Sequence, residues 1–201
     1  MPLRFRCRYL SPVVLLLLFA GQHPAGSKSE PLPYRLVIEI GQGKLVVSSA
    51  VRDNLSRELA TAVEEADCFR AVYRTAPDPP QADDLVLRLT VVDYQEETDF
   101  RFSIAESNEP DLDRDQLTTV DVRADVAVEV LTRAEGLLVR SRRFRQRNSW
   151  TPQVGGDPRE ESRRMLVEGV VQTTRLFVCK GSSSKWAKQL EQARAGAATP
   201  R

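Results

Sequence analysis

Apolar and polar residues alternate with a period of two from Val120 to Val130. Val120, Val122, Ala124, Val126, Val128 and Val130 fill one side, and Asp121, Arg123, Asp125 and Glu129 lie on the other. This predicts a strand with one face in a core and one in water. A slip of one residue would bury four charges, each costing several kcal/mol if unpaired, so the register is fixed. Ala134, Glu135 and Gly136 read as a turn into Leu137–Asn148, and the two strands make a long hairpin.

The same period recurs upstream. Tyr34, Leu36, Ile38 and Ile40 share a face opposite Arg35 and Glu39, and Gly41 and Gly43 end that strand. Phe69–Arg74 reads as a short strand, and Leu85–Tyr94, apolar on both faces, as a strand in the middle of a sheet. A helical period replaces the strand period twice. From Ser48 to Ala66, Val51, Leu55, Leu59, Ala62, Val63 and Ala66 form an apolar stripe, with Ser48 or Ser49 as cap. Asp157, Pro158 and Glu160 open the second helix, whose stripe of Met165, Leu166, Gly169, Val170, Thr173, Leu176 and Phe177 runs up to Cys179. Gly181–Ser184 break that helix, and 185–195 fits a short terminal helix before a loose tail. Residues 75–84, with three prolines, exclude regular structure, and the acidic stretch 105–116 reads as an exposed loop.

The order is therefore β-α-β-β-β-β-α. A sheet with one apolar face and two striped helices can bury their apolar surfaces only against each other. The expected fold is α+β, a two-layer sandwich with a mixed, mostly antiparallel sheet and two helices on one face. Residues 34–180 would form this domain, after an extended leader at 27–33 and before a C-terminal tail at 181–201.

The first 26 residues stand apart. Arg4, Arg6 and Arg8 precede the apolar run Val13–Ala20, and the small residues Ala25, Gly26 and Ser27 follow, the three-part pattern of an export signal. Eight apolar residues fall short of the roughly 20 that span a bilayer. An exported chain enters an oxidising compartment, where Cys68 and Cys179, the two cysteines beyond the signal, are expected to pair. Without the signal the chain keeps 26 of its 29 basic residues and all 28 acids, a net charge of about −2, and loses its one histidine, His23. That balance argues against a polycation built for nucleic acid and against histidine-based catalysis or metal binding.

Short motifs weigh little. Gly41–Lys44 (GQGK) lacks the remaining spacing of a phosphate loop and reads as a turn. Asp111, Asp113 and Asp115 begin like a calcium loop, but Gln116 and Val122 stand where glycine and a bidentate glutamate are needed. Ser182 and Lys185 have the S-x-x-K spacing without its companion motifs. Glu96, Glu97 and Asp99 read as surface charge. They are also the only basis for the weakest reading, a small secreted carboxylate-dependent hydrolase. No metal site and no cofactor is expected.

Leu137–Asn148 carries the distinctive chemistry. Alternation puts Arg140 and Arg142 on one face and Arg143, Arg145 and Arg147 on the other. A strand charged on both faces belongs at a sheet edge. There the arginines either block pairing with foreign strands or present guanidinium forks to phosphates or carboxylates.

The segments 48–74 (SSAVRDNLSRELATAVEEADCFRAVYR), 82–97 (ADDLVLRLTVVDYQEE) and 120–145 (VDVRADVAVEVLTRAEGLLVRSRRFR) resemble the outer-membrane lipopolysaccharide-assembly lipoproteins (LptE-like) over about residues 34–180. The order is also similar to the auxiliary lipoproteins of envelope ABC transporters, and to curli-secretion and TolB amino-terminal domains. The resemblance implies a non-enzymatic periplasmic accessory at the outer membrane, an adaptor or plug whose partner is an outer-membrane β-barrel or a transporter. Lipopolysaccharide or another anionic lipid would be a ligand, and nucleic acid would not. Such families carry a lipid-modified cysteine just after the apolar run, whereas Gly21–Ser27 contains none and Cys7 precedes the run.

Overall fold

The computed structural model describes residues 30–41, 43, 49–102, 116–150 and 157–198. The signal-like segment, the three aspartates of 111–115 and most of the 105–116 loop lie outside them. The chain divides into Met1–Glu30, of which only Glu30 is described, and Pro31–Arg201. The second unit holds β1 (Leu32–Gly41), α1 (Ser49–Glu65), β2 (Phe69–Tyr73), β3 (Asp84–Phe102), β4 (Gln116–Thr132), β5 (Leu138–Trp150), α2 (Pro158–Val178) and α3 (Ser183–Ala198). The fold is α+β, a five-stranded mixed sheet in the order β2-β1-β3-β4-β5 packed against helices.

Buried apolar side chains explain the layering. Val120, Val122, Val126, Val128 and Val130 are fully buried, as the alternation requires. Leu36 and Ile38 of β1 and Leu85, Leu87 and Leu89 of β3 join them in one cluster with Leu55, Leu59 and Val63 of α1 and Leu166, Val170 and Val178 of α2. Val37, on the opposite side of β1, is buried as well. β1 starts at Leu32 rather than Tyr34. Leu32 pairs with Phe69 ahead of an irregularity in the strand pairing, and that break accommodates Pro33, which has no N–H to donate. A Cβ on Gly43 would overlap the Val91 carbonyl oxygen, so close backbone approach explains this glycine.

β1 is parallel to both β2 and β3, while β4 and β5 each run antiparallel to the strand before. The 75–84 linker thus carries the chain from one edge of β1 to the other without reversing its direction. Both α1 and α2 consequently run the same way, and the residues that follow them meet. Cys68 and Cys179 form a disulfide with Cα atoms 5.4 Å apart.

On the face away from the helices, the linker is fastened by charge. The Asp84 carboxylate, fully buried, accepts from Arg35 Nε and Nη2 at 2.5 and 2.7 Å, from Arg133 Nη1 at 3.0 Å and from the Gln81 backbone N–H at 2.9 Å. Arg133 also donates to the Pro77 carbonyl.

α3 departs most from the expected short helix over 185–195. It spans Ser183–Ala198, and Trp186 is completely buried, edge-on to Phe69 at 5.8 Å, with Leu190 buried beside it. Three helices, not two, contribute to the packing.

Candidate functional site

β5 is the last strand of the sheet, and among the described residues nothing pairs with its far side. Its pairing with β4 sorts the arginines. Arg140 and Arg142 stand opposite Val130 and Val128 on the helix-covered face, and Arg145 and Arg143 stand opposite Asp125 and Ala127 on the outer face, with Arg147 opposite Arg123.

The helix-face pair splits again. Arg140 is roofed by α2 and α3: its guanidinium lies 5.0 Å from the Phe177 ring centre and 4.6 Å from that of Trp186, and it donates to the Lys180 carbonyl at 3.0 Å. Burial pushes its pKa below the ordinary arginine value. Arg140 is therefore engaged within the fold by α2 and α3. Arg142, one turn of the pleat further on, is exposed.

The outer face holds a charge ladder. Arg145 grips Asp125 through Nε at 2.6 Å and Nη2 at 3.1 Å, Arg147 reaches Asp121 at 3.2 Å, and Arg143 lies 3.7 Å from Asp125. Three guanidiniums thus face two carboxylates. The arginine side chains stay 64%, 70% and 57% exposed at 143, 145 and 147, against 16% for Asp125, so each keeps N–H groups turned to solvent. The Arg145 fork holds the Asp125 carboxyl below the usual carboxylate range, and raises its own pKa in return. A hydrogen bond from Ser149, helped by Arg147, does the same for Asp121. A shallow depression of about 140 Å³ lies here, lined by Asp93, Gln95, Arg123, Asp125 and Arg145.

Glu96, a surface charge by simple alternation, lies instead on the helix side. β3 has a bulge between Val91 and Asp93, which inserts Val92 and reverses the alternation beyond it. Glu96 therefore points to the helix side, opposite Val122. There it accepts from Tyr94 Oη at 2.7 Å and from Arg163 Nε and Nη2 at 2.9 and 3.1 Å. Arg163 and Tyr94 hold its carboxyl below the usual range, while burial and Glu96 raise the Tyr94 phenol. A carboxylate kept ionised and saturated with donors is a poor general acid. Glu97 and Asp99 are paired with β4 on the opposite side of the bulge-shifted strand, so the acids do not converge.

The remaining motifs stay apart from this site. Ser182 hydrogen-bonds Ser184 at 3.0 Å in the exposed approach to α3. A second depression, about 220 Å³, lies between α3 and the starts of β1 and β3 and is lined in part by Tyr34, Asp83, Glu191 and Arg194. Among the described residues, no group of three metal-ligating side chains is found. No helix among them is long and apolar enough to cross a membrane.

No protein-family description matches the chain, and no curated protein matches its sequence. Solved structures with a similar chain path include a minor lipoprotein from Acinetobacter baumannii, 18% identical with a TM-score of 0.43, covering 71% of this chain and 91% of that one. A Xanthomonas campestris protein of the DUF330 family is 12% identical with a TM-score of 0.47, covering 84% and 94%. A Helicobacter pylori protein described as a neuraminyllactose-binding hemagglutinin homologue is 13% identical with a TM-score of 0.48, covering 87% and 97%. These likenesses are of chain path and bring no residue correspondence to the arginine strand.

Proposed function

We propose that this protein is a non-enzymatic accessory of the bacterial cell envelope. In this reading it is exported to the periplasm and acts at the outer membrane in lipopolysaccharide assembly or transport, as an adaptor or plug for a β-barrel. The observation that carries the reading is the surplus of half-free guanidiniums on the outer face of an edge strand. Arg143, Arg145 and Arg147 offer forked donors at a spacing of two residues, about 7 Å along a strand, which suits a row of phosphates or carboxylates. The disulfide fits export to an oxidising compartment. Against the hydrolase reading, Glu97 and Asp99 lie on the face opposite the donor-saturated Glu96.

The test is affinity purification from detergent-solubilised envelopes with the wild type and with Arg143→Ser, Arg145→Ser and Arg147→Ser combined. The wild type retains a barrel, a transporter component or lipopolysaccharide, and the triple variant loses it. Equal retention by both proteins overturns the arginine role.

A further inference from the structure

We infer that β5 accepts an additional strand: an extended, acidic segment of a partner protein that pairs with its open edge and sets carboxylates against Arg143, Arg145 and Arg147. This deepens the proposed role of the arginine strand and rests on it.

The outer face of the sheet carries acid on its inner strands and cation at its β5 edge. Across the outer face, β3 contributes Asp93, Gln95 and Glu97, and β4 contributes Asp125, Arg123 and Asp121 in register with them. β5 then contributes arginine at 143, 145 and 147, with cross-strand ion pairs back to β4. β3 and β4 set acid against acid at Asp93/Asp125 and Glu97/Asp121, while the three arginines of β5 answer the two β4 carboxylates with one cation to spare, and β5, like β2 at the other edge, has one neighbour among the described residues. Opposite charges on directly facing strand positions stabilise pairing, and like charges oppose it.

The charge also selects the occupant. A second copy of this chain pairing edge to edge would lay one arginine row against another, so β5 resists self-association. A strand with Asp or Glu at alternate positions meets no such penalty and completes the third guanidinium, since Arg143 has only a distant share of Asp125. All five cations from 140 to 147 are arginine, whose planar fork can hold one carboxylate on β4 and a second on the incoming strand. On the other face the incoming side chains would lie beside the half-buried Phe144 and Gln146, so the expected segment alternates acid with apolar or neutral residues. Backbone hydrogen bonds to the edge would supply affinity, and the acid spacing specificity.

The experiment measures fluorescence anisotropy of labelled decapeptides with the full chain. One peptide alternates Glu with Val, a second alternates Lys with Val, and a third is the Glu/Val peptide N-methylated at every second residue, which keeps the charge and removes one edge of backbone donors. Vesicles of neutral lipid with and without anionic phosphatidylglycerol form a separate arm. The Glu/Val peptide should bind, with at least tenfold weaker binding after N-methylation and at least tenfold weaker binding of the Lys/Val peptide. Arg143→Glu with Arg145→Glu should reverse the charge preference while circular dichroism stays unchanged; Arg143→Ser alone, at a weakly paired position, serves where the double variant loses its fold. Equal binding of the N-methylated peptide overturns strand addition and leaves the arginine contact standing. Binding of anionic vesicles alone, lost in the arginine variants, also overturns strand addition in favour of a lipid ligand. Binding of nothing acidic by the wild type overturns both.

Discussion

The Arg35 guanidinium and the Asp84 carboxylate form a two-pronged ion pair across the parallel strands β1 and β3, with Asp84 fully withdrawn from solvent. Arg35, the Gln81 N–H and Arg133 together hold the Asp84 pKa at about 2, against a burial penalty acting the other way. The folded value lies below the unfolded one, so the stabilisation is fully present above about pH 4 and is lost as pH falls through about 2. Asp84→Asn should remove an acid-sensitive contribution of about 2 kcal/mol, flattening the stability profile between pH 4 and 2 in urea titrations. Arg35→Ala, which leaves the carboxylate buried with one guanidinium fewer, should cost more at neutral pH, about 3 kcal/mol.

The disulfide ties the segment after α1 to the end of α2 across 111 residues. Closing so long a loop restricts the unfolded chain, so reduction, or Cys68→Ser, should lower stability by about 3 to 5 kcal/mol. Thermal melts with and without reductant give the measurement, and the Cys68→Ser protein should no longer respond to reductant.

Arg140 and Arg145 have opposite tasks although they sit five residues apart. Arg140→Ala removes a cation stacked on Trp186 and Phe177 and a donor to Lys180, and should destabilise the fold by about 1 to 3 kcal/mol without weakening the partner contact. Arg145→Ala breaks a solvent-exposed pair and should leave stability nearly unchanged while weakening the contact. Trp186→Ala should cost about 3 to 5 kcal/mol, because the ring is wholly enclosed. Denaturation midpoints alongside the envelope pull-down separate the two kinds of effect.

How far the sequence revealed this arrangement depends on how locally each feature is encoded. The valine face of β4 was legible because a period of two with charge on alternate positions leaves one register. The N-cap of α2 was legible too: Asp157 Oδ1 accepts from the Arg159 N–H at 2.9 Å, with Pro158 opening the helix. The bulge at Val92 was hidden, since one extra apolar residue in an apolar strand leaves no mark, and it alone turns Glu96 inward. α3 was underestimated because only Trp186 and Leu190 are buried along 16 residues, too few to print a stripe. The parallel step through 75–84 depends on Arg35, Asp84 and Arg133, which meet only in the folded chain. Alternation alone sorted the arginines into two faces. It could not show that α3 would cover Arg140 and leave Arg142 exposed.

In the proposed role, the outer face of β5 is the surface that touches a partner in the envelope. Site-specific photo-crosslinking in intact cells tests it most directly, with the photoreactive residue placed at Ser141, exposed on that face, or at Glu64, exposed on α1. The expected result is a discrete adduct from position 141 that disappears when Arg143, Arg145 and Arg147 are changed to Ser, and none from position 64. An adduct from position 64 with none from 141 would contradict it.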